Sequence, residues 1–356
     1  MTTSKFWSPF VQNLRPYVAG EQANRPDLVK LNTNESPYGP APEVVSAITA
    51  AANVDLRLYP DPNSTALREA IAKHHCLSTE EVFVGNGSDE VLAFAFNGLL
   101  NQGKPILFPD VTYSFYTTYC GLFGIPYRMV PVDEKFRLRV EDYEDDCGGI
   151  IIANPNAPTG IALDLSQIDA LLCMHPDQVV VIDEAYVDFG AQSAVKLLRN
   201  RPNLLVVQTM SKSRGLAGLR VGYALGSRDL VQALVRIKDS FNSYPLDRLA
   251  QAGAAAAISS DAYFRKTCAR IATDRDDLSK RLTTLGFNVL PSKANFLFAT
   301  HEQIPAEMIA VQLRERSILV RHFNLPRIEN FVRISIGTPS DNDRLVSALQ
   351  EILVVV

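Results

Sequence analysis

Lys212 occupies an unusual place. It stands in Thr209-Met210-Ser211-Lys212-Ser213-Arg214-Gly215-Leu216-Ala217-Gly218-Leu219-Arg220, directly after the apolar run Leu204–Val207. A lysine at the mouth of a buried strand is costly unless a charged partner or a chemical task holds it there. Its amine is nucleophilic only when deprotonated, and burial or nearby cations favour that state and the Schiff-base chemistry it allows. Ser211 and Arg220 add a hydroxyl and a planar fork of donors suited to phosphate. A solvated lysine on a surface turn is the plain alternative.

Three further segments carry chemistry in the same kind of place. In Val179-Val180-Val181-Ile182-Asp183-Glu184-Ala185-Tyr186 a carboxylate leaves an apolar strand at its carboxyl end, where open α/β sheets bind ligands. Asp183 could hold a positive charge such as a protonated pyridine nitrogen, and Tyr186 a phenolate; the alternative for Asp183 is a helix cap. Ile152-Ala153-Asn154-Pro155-Asn156-Ala157-Pro158-Thr159-Gly160 is a rigid loop after another strand. Gly85-Asn86-Gly87-Ser88-Asp89-Glu90 reads as strand, tight turn and helix start, whose free N–H groups suit an anion. It is neither the dinucleotide G-x-G-x-x-G nor a phosphate-binding loop of NTPases. A lysine, an aspartate, a tyrosine, an arginine and a phosphate cradle at one sheet edge match one cofactor, pyridoxal 5′-phosphate (PLP). PLP needs an amine for its aldehyde, an acid for its pyridine nitrogen and donors for its phosphate.

The elements that must position these loops alternate. Candidate strands Val82–Val84, Pro105–Phe108, Gly149–Ala153, Val179–Ile182, Leu204–Gln208 and Val221–Ala224 are short Val/Ile/Leu-rich runs, as buried parallel strands require. Helical stretches such as Ser88–Leu100 and Leu165–Met174 lie between them, with Cys173 expected in the core. This is the α/β pattern of a mainly parallel sheet covered by helices on both faces. Near residue 250 the pattern changes to an Ala-rich helix, Leu249–Ser259, and a long charged one, Asp261–Leu285. Short strands at Asn288–Leu290, Asn295–Ala299, Ser317–Arg321 and Phe331–Ile336 and a last helix from about Asp341 suggest a smaller α+β domain.

Composition narrows the function classes. The 356 residues are 47% hydrophobic and 21% charged with a net charge of −4, which gives no basic footprint for nucleic acid. Five cysteines without a CxxC pair fit a reducing compartment rather than a disulfide or zinc framework. No run approaches a membrane span, and the start lacks the apolar core of a signal peptide, so a cytoplasmic protein without membrane partner is expected. Neither HExxH nor a Cys/His cluster occurs, so no metal site is expected. His74 and His75 sit on a charged helix and read as surface residues.

With these segments in view, the chain resembles the fold-type I PLP-dependent aminotransferases of class II, most closely the histidinol-phosphate aminotransferases. The resemblance runs from Leu14-Arg15-Pro16-Tyr17 through Leu31-Asn32-Thr33-Asn34-Glu35-Ser36-Pro37-Tyr38-Gly39-Pro40 and Leu58-Tyr59-Pro60-Asp61-Pro62 to Arg333-Ile334-Ser335-Ile336-Gly337-Thr338. It implies a large domain built on a mainly parallel seven-stranded sheet. The expected division is an arm at 1–35, a large PLP-binding domain at 36–260 and a small domain at 261–356. It implies that Lys212 holds the cofactor's aldehyde and then moves the substrate's proton. Asp183 would pair with the pyridinium nitrogen, Tyr186 would bond the ring oxygen O3′, and Tyr113 would stack on the ring. Ser211, Arg220 and the backbone N–H groups of Ser88 and Asp89 would bind the phosphate. Tyr59 would reach the neighbouring subunit's cofactor, which implies a homodimer.

The sequence departs from the family pattern at two places. The Asn expected before Pro158-Thr159-Gly160 is Ala157, with Asn156 the nearest replacement as a cofactor contact. The aromatic residue expected two positions after the lysine is Arg214, a charge that either depresses the Lys212 pKa or points to solvent. On the substrate side, Phe331–Ile336 alternates so that Arg333 and Ser335 share a face. An Arg on an otherwise apolar strand needs an anion, and its fork suits a carboxylate or a phosphate equally. Arg333 is expected to be the shared anchor for glutamate and histidinol phosphate, with a structural ion pair as its alternative, and Arg321 a second donor, with a solvent-facing charge as its alternative; the resemblance implies that Tyr17 closes over the substrate. The implied activity is transamination between L-histidinol phosphate and 2-oxoglutarate in histidine biosynthesis. The alternative is an aromatic amino-acid aminotransferase for phenylalanine or tyrosine, or a PLP enzyme acting on a phosphorylated amino acid.

Overall fold

The apolar runs that end in chemistry-bearing loops are strands of one sheet. In a computed structural model, which describes residues 4–18, 20–22 and 27–355, seven strands form it. They are β1 (Val82–Asn86), β2 (Ile106–Pro109), β3 (Tyr127–Val130), β4 (Gly149–Ala153), β5 (Val180–Asp183), β6 (Leu204–Thr209) and β7 (Val221–Gly226). Their spatial order is β1-β7-β6-β5-β4-β2-β3, and only β7 runs antiparallel to its neighbours.

Alternation along the strands feeds two apolar layers. Ile150, Ile152, Val180, Ile182, Leu204 and Val206 face one side. There they pack on helices α1 (Pro42–Ala51), α2 (Thr65–His75), α5 (Leu165–Met174) and α7 (Arg248–Ser259). Ile151, Val181, Leu205 and Val207 face the other. They meet α3 (Gly87–Ala95), α4 (Phe115–Phe123) and α6 (Arg228–Phe241). A sheet buried on both faces needs residues apolar at every position, which is why these strands read as unbroken Val/Ile/Leu runs.

A second core is built around the 24-residue helix α8 (Asp261–Thr284), with α9 (Ala306–Glu315) and α10 (Pro339–Val355). Its antiparallel sheet has the order β10-β11-β9-β8, from β8 (Phe287–Val289), β9 (Phe296–His301), β10 (Arg321–His322) and β11 (Val332–Ser335). Val29 and Leu31 of the arm join this core, and Val29–Lys30 pairs in parallel with Ile318–Leu319. The arm then crosses back, since Tyr38 packs on the second core and Ala41 on the first.

The structure differs from the sequence reading at three places. β3 was not expected: it is an edge strand whose first three residues are exposed, so it lacks the apolar run of a buried strand. The segment read as one strand, Ser317–Arg321, is two, because Ile318–Leu319 pairs with the arm and Arg321–His322 with β11. Cys173 is exposed rather than in the core; Ile168, Leu171 and Leu172 form the buried stripe of α5. Among the described residues no helix is long and apolar enough to cross a membrane.

Candidate active site

A cleft of about 900 Å³, part of it open solvent, lies at the carboxyl ends of β4, β5 and β6, under the arm and the small domain. It brings together Tyr17, Ser88, Asp89, Tyr113, Asp183, Tyr186, Ser211, Lys212, Arg220, Arg321 and Arg333. Of the expected site residues only Tyr59 and Asn156 are not among its lining.

The cofactor end is shaped by backbone. Gly87 (φ 78°) turns the chain from β1 into α3, presenting the N–H groups of Ser88 and Asp89 at the helix start. β7 closes against this turn so tightly that a Cβ on Gly222 would lie 2.2 Å from the Ser88 nitrogen. Arg220, just before β7, adopts a left-handed φ of 53° and places Nη2 2.9 Å from an Asp89 carboxylate oxygen. The other Asp89 oxygen accepts a bond from the Tyr113 hydroxyl at 3.3 Å. Ser211 is buried at the same end, its Oγ accepting from Thr209 Oγ1 at 3.0 Å. Backbone donors, a hydroxyl and a guanidinium thus converge where a phosphate would sit.

In the middle of the cleft Lys212 Nζ donates to the Thr33 carbonyl at 3.0 Å and lies 5.9 Å from the Tyr186 ring centroid. The Tyr186 hydroxyl accepts from Asn34 Nδ2 at 3.0 Å, which leaves its own proton free to donate. Asp183 ends β5 with its carboxylate buried. Tyr116 donates to Oδ2 at 2.9 Å and the Ala185 N–H to Oδ1 at 3.3 Å. Burial pushes the Asp183 carboxyl up to about 6 despite those two bonds. A buried acid with donors but no bonded cation among the described residues is what a pyridinium nitrogen would complete, so the donor set fits PLP. Burial, together with the Asp89 charge, also holds the Tyr113 phenol well above its usual range, so Tyr113 is a neutral ring at the cofactor wall.

At the substrate end Arg333, on β11, donates Nη2 to the Asn32 carbonyl at 3.0 Å between the rings of Phe296 and Phe323, each 5.4 Å from its guanidinium carbon. Its Nε is buried without a partner among the described residues. Burial, and then the nearby Arg321 charge, lower the Arg333 pKa. Two guanidiniums at one end of a cleft, one with an unpaired buried donor, form an anion site. Tyr17 packs over this end, its ring 4.8 Å from Phe115 and 6.4 Å from Tyr113.

Two of the expected residues lie outside this chain's own cleft, Tyr59 being the one expected to serve the neighbouring subunit. The Asn156 amide donates to the Val111 carbonyl at 2.9 Å and Thr159 Oγ1 at 3.1 Å, and accepts from Thr112 Oγ1 at 2.8 Å. Those bonds commit it to the loop, and it is the buried methyl of Ala157 that lines the cleft. Tyr59 is 80% exposed on its own chain, stacked 4.8 Å from Tyr244. Arg214 is half-buried: its guanidinium lies 3.8 Å over the Phe264 ring and donates to the Ala257 carbonyl. Sequence reasoning missed Tyr116, Thr33 and Asn34. Tyr116 lies on α4 in an aromatic run with no local sign of its acid partner, whereas Thr33 and Asn34 belong to a quoted family-like stretch.

The profile of the family "Aminotransferase class I and II" matches residues 26–349. The chain belongs to the class I and II aminotransferase family. This aminotransferase is 60% identical over 346 residues to histidinol-phosphate aminotransferase 1 of Pseudomonas aeruginosa, covering 97% of this chain and 99% of that relative. It is 58% identical to histidinol-phosphate aminotransferase 2 of Rhizobium meliloti, covering 98% and 100%. Its fold matches the crystal structure of histidinol-phosphate aminotransferase from Sinorhizobium meliloti in complex with pyridoxal-5′-phosphate. That match has a TM-score of 0.90 and 26% identity over 99% of each chain.

Proposed function

We propose that this aminotransferase moves an amino group between L-histidinol phosphate and 2-oxoglutarate, giving imidazole-acetol phosphate and L-glutamate, with PLP as its cofactor in histidine biosynthesis. The observation that carries the reading is one cleft holding Lys212, the buried acid Asp183 and, beyond them, a guanidinium with an unpaired donor. The names of the relatives at 58–60% identity support the choice of amino donor.

When bound, PLP supplies an aldehyde that condenses with amines and a ring that takes up the electron pair left when a substrate C–H loses its proton. The chain's residues do the rest. Ser211, Arg220 and the Ser88 and Asp89 N–H groups hold the phosphate, and Tyr113 covers one ring face. Asp183 holds the ring nitrogen protonated, and Tyr116 holds Asp183. Tyr186 donates to O3′, and Ala157 leaves that oxygen without the usual amide. Lys212 Nζ would hold the cofactor's aldehyde and, as a free amine, would take the proton from the substrate carbon bearing the amino group. Arg333, helped by Arg321, orients the phosphate of histidinol phosphate and the distal carboxylate of glutamate in turn, and Tyr17 shields them from water.

The reading extends to a homodimer in the cytoplasm, divided into arm, large and small domains at about residues 35 and 260. Three donors support an outward-held Tyr59. Arg248 bonds the Tyr59 carbonyl at 3.2 Å, Gln251 that of Asp61 at 3.0 Å and Lys238 that of Pro62 at 3.0 Å. The five cysteines are free thiols, which suits a reducing compartment.

A second reading, phenylalanine or tyrosine as donor, is favoured by the aromatic rings of Tyr17 and Tyr113 in the cleft wall. A half-reaction screen decides. The PLP-loaded protein is mixed in turn with histidinol phosphate, glutamate, phenylalanine and tyrosine, and loss of the cofactor's visible absorbance is timed. Histidinol phosphate and glutamate should discharge it faster than either aromatic amino acid. A faster reaction with phenylalanine or tyrosine would replace the first reading by the second.

A further inference from the structure

On the sheet face turned away from the cleft, Ile182, Val206 and Leu225 are followed by Glu184, Gln208 and Tyr223, which carry polar groups into a layer that Met210, Val221 and the Tyr223 ring otherwise keep apolar. Glu184 is 2% exposed and takes three bonds: the Ala194 N–H at 2.6 Å, Ser193 Oγ at 2.7 Å and Gln208 Nε2 at 2.7 Å. Gln208 Oε1 in turn accepts from the Tyr223 hydroxyl at 2.6 Å, and Tyr223 lies 3.4 Å from His75 Nε2 on α2. Gln208 and Tyr223 are direct cross-strand partners. These side chains therefore form a lateral chain of bonds across three adjacent strands.

Each member stands one residue from a position that shapes the cleft. Glu184 follows Asp183. Gln208 precedes Thr209, whose Oγ1 bonds Ser211 beside Lys212. Tyr223 follows Gly222, the residue packed on the Ser88 nitrogen, in the strand that Arg220 opens. The backbone ladder pairs these strand ends, and short directional side-chain bonds add to it in fixing their spacing. A buried carboxylate bonded only by neutral donors gives little net stability for its cost, and burial pushes Glu184 up to about 7. The charged and titratable groups that face this layer are Asp188, His74, His75, Cys76, Lys196 and Arg214.

We propose that Glu184, Gln208 and Tyr223 are positioning residues, a polar strap across β5, β6 and β7 that sets the spacing of Asp183, Lys212 and the phosphate cradle from the far side of the sheet. This rests on the PLP reading above. Gln208→Met keeps the volume and cuts both cross-strand bonds, whereas Glu184→Gln can keep them by turning the Gln208 amide over. Three readouts are taken on loaded protein: PLP affinity, the pH midpoint of the bound cofactor's visible band, and kcat and KM.

For Gln208→Met the strap predicts PLP affinity and kcat each lowered about tenfold, a shifted spectral midpoint, and substrate KM values within about twofold. Glu184→Gln should stay within about twofold of the parent on all three. Tyr223→Phe deletes one O–H, and it carries the same readouts at smaller amplitude should Gln208→Met not fold. A variant that loses melting temperature while its midpoint, PLP affinity and kcat match the parent's would overturn the proposal. If the parent itself binds no PLP, it is the cofactor reading that fails.

Discussion

The two ends of the cleft are made differently. The cofactor end is backbone and short side chains from one sheet: Gly87 turning into α3, Gly222 pressed on Ser88, and Ser211 and Arg220 within one strand–loop–strand unit. The substrate end is long side chains gathered from remote places: Tyr17 from the arm, and Arg321 and Arg333 from the small sheet, with Arg333 tied to Asn32 301 residues away in sequence. The first kind of site is rigid and tolerates one ligand geometry. The second can accept two anions of different shape, as a transaminase with two substrates must. Chemistry is thus held by the sheet and selectivity by the parts that pack over it.

That contrast can be broken experimentally, starting where the effect should be largest. Asp183→Asn keeps the Tyr116 contact but removes the charge, and it should lower kcat roughly 100-fold with PLP still bound. Near-parental turnover would mean that the sheet end does not govern the chemistry. Arg333→Ala should raise KM for both histidinol phosphate and glutamate roughly 30-fold by removing a charge-assisted bond, with a smaller change in kcat. If glutamate binding were unchanged, the two anions would not share an anchor.

The smallest effect should be on the cofactor-free protein, as a change of slope. A carboxyl raised by burial binds its proton more tightly when folded, so its share of the stability is present at low pH and is lost as pH rises from about 4 through about 6. Chemical denaturation of cofactor-free protein across that window should show a steeper decline for the parent than for Asp183→Asn. Parallel curves would place Asp183 in a more polar setting than the structure gives it.

The same division explains what the sequence revealed. β4, β5 and β6 and their loops were legible because strands buried on both faces must be apolar at every residue, so the polar residue that ends each one stands out. Lys212 and Asp183 were visible for that reason. β3 was invisible because an exposed edge strand carries no such run. The substrate end was legible only as single arginines on alternating strands, and their meeting with Tyr17 depends on how the arm and small domain pack. Asn156 was assigned by its place in a motif, but its amide is used by the loop's own Val111, Thr112 and Thr159. Arg214 was weighed against Lys212 and solvent alone, since the Phe264 ring that receives it lies on another helix. Tyr116 and the strap residues are fixed by tertiary packing and leave no local pattern.

If Lys212 Nζ holds the cofactor, borohydride reduction of PLP-loaded protein followed by peptide mass mapping should find one pyridoxyl-phosphate adduct, on Lys212. An adduct on another lysine, or none on protein that has taken up PLP, would show that Lys212 does not hold it.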